Sequence, residues 1–224
     1  MNIAIFGYGK MGRKISEYAT KRGHNIITKA DSKNPASKSN LSNIDVVIDF
    51  STPNTAFENI SYALKNNIPV ISGTTNWLRK LDEIHKLCNN IDGAFLHSSN
   101  FSIGVNIFFD INRRLAELMK KQDYKVSISE THHLEKLDSP SGTAITISNE
   151  IKKIKNDIKI PITSLRKADE IGTHEVKYIS EIDSISLKHK ANKRDGFALG
   201  ALIAAEWIIN KKGIYTFADV LKNI

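Results

Sequence analysis

Cysteine occurs once in 224 residues, at position 88, so the chain cannot close an internal disulfide and a reducing cytoplasm is its expected setting. Its apolar runs are short as well. The richest, Phe197 to Ile209, is too short to span a bilayer and carries Glu206, so it reads as a buried helix and no membrane partner is expected. The N-terminus runs directly into an apolar strand without a basic region or cleavage site, so no export signal is expected. Low-complexity segments and internal repeats are absent from the sequence too. What is in excess is positive charge: 32 Lys and Arg against 24 Asp and Glu, a net of +8. The lysines are dispersed, aromatic residues do not interleave with them and no nucleic-acid motif appears, which argues against a nucleic-acid partner. A positive field does help to draw in an anionic substrate and cofactor. A hydrophobic content of 41% is that of an ordinary globular chain, long enough for one large or two modest domains.

The first half alternates strand and helix. Asn2 to Phe6 is an apolar strand, then Gly7-Tyr8-Gly9-Lys10-Met11-Gly12 leads into a helix through about Lys21. Gly-x-Gly-x-x-Gly in that context is a dinucleotide-binding turn: Gly7 permits the tight bend, Gly9 lets the backbone approach a pyrophosphate, and Gly12 allows close packing of helix on strand. Tyr8, Lys10 and Met11 fill the turn and count as candidate cofactor contacts. A second strand, about Asn25 to Ala30, ends at Asp31, placed to accept hydrogen bonds from the ribose hydroxyls of NADH and to repel the 2′-phosphate of NADPH. Lys33 can relieve that repulsion, so NADH is expected and NADPH stays open. As an alternative, Asp31 is an ordinary turn residue. Asp45 to Phe50 is apolar enough for a central parallel strand, and a helix through Ala56, Ile60, Ala63 and Leu64 follows. Ile68 to Ser72 is the next strand, closing at Gly73-Thr74-Thr75, where open α/β sheets bind ligands. After a helix over Leu78 to Cys88 comes strand Gly93 to His97, then Ser98-Ser99-Asn100-Phe101. This alternation predicts a doubly wound parallel sheet, Rossmann-like, in an α/β chain.

Beyond Gly104 the pattern becomes that of a smaller α+β unit with a mixed sheet. A helix spans about Val105 to Lys120, and His174 to Ile179 and Ser184 to Lys190 alternate as strands do. Within this unit Val126 and Ile128 alternate with polar residues, then Glu130-Thr131-His132-His133-Leu134-Glu135-Lys136-Leu137-Asp138-Ser139-Pro140-Ser141-Gly142-Thr143-Ala144 runs into a helical pattern of Ala144, Ile147, Ile151 and Ile154. Ser139 is the expected N-cap with Pro140 at the first helical position, and the helix is expected to begin at or near Ser141-Gly142-Thr143. The unpaired N–H groups at the helix start favour an anion; Gly142 lets it come close and Thr143 adds a hydroxyl donor. His132 and His133 point to opposite sides of an extended segment, so one can face a reaction centre while the other binds or supports. Lys136 supplies a point charge for a carboxylate or a proton for a developing anion.

Glu-x-His-His-x-x-Lys-x-Asp-x-Pro-Ser-Gly-Thr-Ala resembles the signature of the 4-hydroxy-tetrahydrodipicolinate reductases, also called dihydrodipicolinate reductases, of lysine and diaminopimelate synthesis. It is matched at every defined position. Asn100-Phe101-Ser102-Ile103-Gly104-Val105-Asn106 looks like the family's hinge and cofactor-contact segment, and Gly73-Thr74-Thr75 like its loop beside the nicotinamide, although Asn76 stands where the family usually has glycine. Leu165 to His174 resembles Arg-x-Gly-Asp-x-x-Gly-x-His with Ala168 replacing the glycine, and His189 to Ala201 the closing motif. The resemblance implies an NADH- or NADPH-dependent oxidoreductase acting on a small cyclic imine dicarboxylate. It implies His132 as proton donor with Lys136 as partner, and His133, Gly142 and Thr143 on a substrate carboxylate. It also implies a dinucleotide-binding domain over 1–103 and 196–224, a substrate-binding and oligomerisation domain over 104–195, and a cytoplasmic homotetramer. Arg194 is placed either near the substrate or in a salt bridge across the hinge. No metal is implied. Three rivals stay open: another two-domain dehydrogenase, which has no reason to carry His132 through Thr143; a non-catalytic NADH sensor, which would show no turnover; and a basic scaffold, which would bind nucleic acid in a salt-dependent way.

Overall fold

A computed structural model describes every residue except 157, 194 and 224. The chain divides into two compact units, Met1–Ile103 with Asp195–Ile224, and Gly104–Arg194.

The first unit is built on a six-stranded sheet of β1 (Asn2–Phe6), β2 (Asn25–Ala30), β3 (Val46–Asp49), β4 (Val70–Ser72), β5 (Ala94–His97) and a late strand, β10 (Gly213–Tyr215), in the order β10-β5-β4-β3-β1-β2. Every pairing is parallel. The two-residue period of a strand divides its side chains between the faces. Ile3, Ile5, Val46, Ile48, Ile71 and Leu96 pack with helices α1 (Lys10–Lys21) and α6 (Asp195–Ile208), while Ala4, Phe6, Val47, Val70 and Phe95 pack with α2 (Ala56–Lys65) and α3 (Leu81–Asn90). Ile5 and Ile48 are fully buried on neighbouring strands, and each contributes about 1.5–3 kcal/mol of burial free energy. Helices on both faces bury the whole of β3, which explains its unbroken apolar run. Among the described residues no helix is long and apolar enough to cross a membrane.

In the second unit β6 (Lys125–His132), β7 (Ile162–Arg166), β8 (Thr173–Ile179) and β9 (Ser184–Lys190) form a mixed sheet in the order β7-β6-β8-β9, with β6 and β7 parallel and the other pairs antiparallel. One face, carrying Val126, Ile128, Val176 and Tyr178, packs on residues of α4 (Ile103–Leu118) and α5 (Gly142–Ile154).

Three boundaries differ from the sequence reading. The strand read around Val126 and Ile128 continues as far as His132, so the first histidine of the pair is a strand residue, not a loop residue. The N-cap of α5 is Ser141, whose Oγ accepts the Ala144 N–H at 3.2 Å, not Ser139. Glu130 takes the Ser141 N–H at 3.0 Å and so anchors the chain two residues later than the proline suggests. Finally, α6 begins at Asp195, two residues before the apolar run Phe197 to Ile209, and β10 with α7 (Phe217–Leu221) follows it.

Candidate functional site

The first cluster of candidate residues lies at the carboxyl edge of the parallel sheet. β1 has β2 on one side and β3 on the other, which makes this the point where strand order reverses and where such sheets open a crevice. A cavity of about 700 Å³ occupies it, lined among others by Gly7, Tyr8 and Gly9 after β1, Asp31 after β2, and Ser51 and Thr52 after β3. Gly7 holds φ at +91°, and a Cβ there would lie 2.1 Å from the Phe50 carbonyl oxygen, so only glycine fits the bend. A Cβ on Gly9 would meet nothing within 4 Å, and Gly9 is also the N-cap of α1 without a side-chain cap. The start of α1 is therefore uncapped by any side chain and open beside Gly9, which leaves room for a pyrophosphate. Asp31 fits both readings of it: Oδ1 accepts the N–H groups of Lys33 and Asn34, each at 2.9 Å, and the residue also lines the cavity. Those backbone bonds hold its carboxyl below the usual range, so the wall carries a negative charge where a ribose would lie. Above the Tyr8 ring sits the Lys29 ammonium, 4.9 Å from the centroid. Together these features make a cradle that fits a dinucleotide.

Other candidates from the first unit are not among the residues that line that cavity. Lys10 is exposed, and Met11 and Gly12 pack inward against the sheet. Gly73 lies against the Phe50 ring, where a Cβ would come within 2.3 Å. Thr74 is buried and donates to Asp49 Oδ2 at 2.7 Å while accepting the Ser51 N–H at 2.9 Å. Thr75 is exposed, and Asn76 takes φ +62°, the left-handed conformation a glycine would supply. The Ser98 hydroxyl bonds the Asn100 carbonyl at 2.7 Å, Ser99 is exposed, and Phe101 is buried between Phe50 and Phe217. Asp49, which the sequence reading passed over, is fully buried and ties β3 to β4 through Ser72 and Thr74; burial pushes its pKa up in spite of those bonds.

The second cluster belongs to the mixed sheet. Val126, Ile128, Glu130 and His132 all point to the helix-covered face of β6, so the apolar series ends in a carboxylate and an imidazole. Register places His174 of β8 directly opposite Glu130, and Arg166 of β7 opposite His132. Glu130 Oε2 lies 3.5 Å from His132 Nδ1 and 3.6 Å from His174 Nε2, while Ser141 Oγ lies 3.2 Å from His174 Nε2. The ligand atoms of Glu130, His132 and His174 fall within 4.8 Å of one another, so these residues have the composition to hold a divalent ion as well as a proton. Burial lowers the pKa of His132, with the Glu130 charge opposing it, and burial pushes His174 down to about 4.

His133, on the opposite side from His132, is half-buried, and the chain then swings out through exposed Leu134 and Leu137. Arg166 clamps the return of this loop: Nε donates to the Lys136 carbonyl at 3.2 Å and Nη2 to the Asp138 carbonyl at 2.6 Å. Lys136 Nζ donates to both carboxylate oxygens of Asp138, at 2.8 and 3.0 Å. That pairing, with help from the Gly142 backbone N–H, holds Asp138 below the usual carboxylate range. The cation and the helix start expected to bind a substrate acid group thus converge on an internal carboxylate, with Thr143 half-buried in the same first turn. Arg194 lies outside the described residues.

Two family models match the chain in succession: dihydrodipicolinate reductase, N-terminus, over residues 1–101, and dihydrodipicolinate reductase, C-terminus, over 104–221. The chain belongs to the dihydrodipicolinate reductase family. A 4-hydroxy-tetrahydrodipicolinate reductase of Christiangramia forsetii is 46% identical over 236 aligned residues, covering 100% of this chain and 99% of that protein. Another from Thermosipho africanus is 37% identical and covers 99% of this chain and 98% of that protein. Among solved structures, a dipicolinate-bound dihydrodipicolinate reductase from Paenisporosarcina sp. TG-14 superposes with a TM-score of 0.82 at 23% identity, over 98% of each chain, and so shares the fold.

Proposed function

We propose that this member of the dihydrodipicolinate reductase family reduces 4-hydroxy-tetrahydrodipicolinate to tetrahydrodipicolinate with NADH or NADPH, on the diaminopimelate route to lysine. One observation of the site carries the reading: Lys136 Nζ closes on both oxygens of a single carboxylate, that of Asp138, in the loop that leaves the buried His132. Groups that hold one carboxylate beside a buried imidazole can hold another, and a cyclic dicarboxylate brings two.

The dinucleotide belongs in the cavity of Gly7, Gly9 and Asp31, and when bound it supplies the hydride. The ring loses its 4-hydroxyl as water and gains that hydride at C4, which leaves electron density toward the ring nitrogen and requires one proton. His132 supplies the proton, and Lys136 offsets the negative charge. His133, Thr143 and the Gly142 N–H hold a substrate carboxylate once Asp138 gives way. In this reading residues 1–103 and 196–224 bind the dinucleotide, and 104–195 bind substrate and join subunits of a cytoplasmic homotetramer. A coupled assay tests the activity: the preceding synthase generates substrate and the oxidation of NADH or NADPH is followed. No oxidation with either cofactor would reject the reading.

A further inference from the structure

We infer that Glu130 is a positioning residue that turns His132 so that Nε2 is the edge exchanging a proton with substrate, while Gly172 keeps that edge clear. The inference rests on the proposed role of His132 as proton donor.

Glu130 and His132 lie two residues apart on one face of β6, so the strand itself aims both side chains at the same space. The Glu130 side chain is fully buried, and its two oxygens have different tasks. Oε1 accepts the Ser141 N–H at 3.0 Å and has the Arg166 guanidinium 3.7 Å away. Oε2 has no hydrogen-bond partner among the described residues, although two ring nitrogens stand just beyond bonding range. Burial alone would raise the carboxyl pKa, but nearby Ser141, Ser164 and His132 outweigh it, and Glu130 is held below the usual range. With the Ser141 N–H donating to it and the Arg166 guanidinium facing it, Glu130 acts as a carboxylate, able only to accept.

The donor it needs is a ring N–H. His132 Nδ1 is itself buried and has no other partner among the described residues, so an inward shift of about 0.5 Å, from 3.5 to about 3.0 Å, makes a charge-assisted bond that satisfies both atoms. Catalytic hydrogen bonds are commonly long before ligands bind. With Nδ1–H committed to Glu130, the proton gained and lost is the one on Nε2. A Cβ on Gly172 would come within 3.2 Å of His132 Nε2 and Cδ2, so this edge of the ring runs past the one residue of the turn without a side chain. Any larger residue would push against the Nε2 edge.

The groups facing His132 are Glu130 on its own strand, Lys136 and Asp138 in the loop, Arg166 on β7 and His174 on β8. Of these Glu130 is the main one that favours the charged imidazole over the effect of burial. Long-range nitrogen–proton correlation spectra of the full chain labelled with ¹⁵N-histidine read the tautomer directly. At a pH where His132 is neutral, its proton should sit on Nδ1 in the native protein and move to Nε2 in Glu130→Gln. In steady-state assays Glu130→Gln should lower kcat by at least about tenfold, but less than the about 10²–10⁴-fold expected for losing the acid outright. KM and NADH affinity should stay within about twofold, and the limb of the pH profile where the acid loses its proton should move to lower pH. A native His132 carrying its neutral proton on Nε2, or a Glu130→Gln enzyme with unchanged kcat and pH limb, would overturn the inference. So would activity lost to a chelator and restored by zinc, since a metal ion would then take the proton's place between Glu130 and His132. Should Glu130→Gln fail to fold, the native spectrum decides. An unreactive native enzyme would contradict the proposed function, while the tautomer would still decide the inference about Glu130.

Discussion

Adding one carbon at Gly7 and one at Gly9 should separate folding from cofactor binding within a single turn. At Gly7 the new Cβ would lie 2.1 Å from the Phe50 carbonyl oxygen and 2.5 Å from the Ser51 nitrogen, with φ at +91°. Neither neighbour yields easily, because Phe50 N–H is bonded to the Phe6 carbonyl at 2.8 Å. A non-glycine residue held at such a φ costs about 1–3 kcal/mol, and overpacking about 1–3 kcal/mol more. Gly7→Ala should therefore destabilise the fold by about 2–6 kcal/mol, a melting temperature lower by at least about 4 °C. At Gly9 the new Cβ meets nothing within 4 Å, so Gly9→Ala should fold almost as the native chain does. Its methyl group would instead stand where a pyrophosphate approaches the start of α1. Losing one charge-assisted hydrogen bond there costs about 1.5–3 kcal/mol, or about ten- to 150-fold in NADH affinity. Thermal denaturation and a fluorescence titration with NADH measure the two effects. Native-like NADH binding by a folded Gly9→Ala protein would refute the placement of the cofactor, and a Gly7→Ala protein as stable as the native one would refute the packing argument.

Further outcomes follow from individual side chains. Asp31→Asn keeps an oxygen for the Lys33 and Asn34 amides but removes the charge on the cavity wall, so the ratio of kcat/KM for NADPH over NADH should rise several-fold; an unchanged ratio would mean Asp31 serves only its turn. Asp138→Asn weakens the internal occupant of the Lys136 site, an exposed pair for which about 0.2–1 kcal/mol is expected, so KM should fall by up to about fivefold. A higher KM would show instead that Asp138 helps to bind substrate. His174 is held near a pKa of about 4 in the fold, against about 6.5 when unfolded. The unfolded chain therefore binds the extra proton, and stability should fall as pH drops from about 6.5 to about 4, by about 3 kcal/mol in all. His174→Gln should flatten that slope in melts across the range, and an equally steep slope would contradict it.

The glycine turn was legible because its requirement is local: a strand, a bend at Gly7 and a helix start all lie within a dozen residues. The buried pair of Glu130 and His132 was only half legible. Val126 and Ile128 announced the buried face of β6, and the same period carried on to Glu130 and His132, but polar residues there look like the end of a strand. That His174 stands opposite Glu130 depends on the register of β6 with β8, which no local pattern records. The cap of α5 was misplaced for a related reason. Ser139-Pro140 has the better local signal, yet Glu130 holds the Ser141 amide and so decides where the helix begins. β10 and α7 were missed because three and five residues are too few to display a period.

In the proposed reaction His132 gives the proton while a different part of the chain holds the dinucleotide. The most direct test is His132→Gln, with kcat from the coupled assay and NADH affinity from titration measured on the same preparation. The expected result is a fall in kcat of about 10²–10⁴-fold with NADH affinity within about twofold of native. A parallel loss of both would contradict that division of labour and make His132 a structural residue.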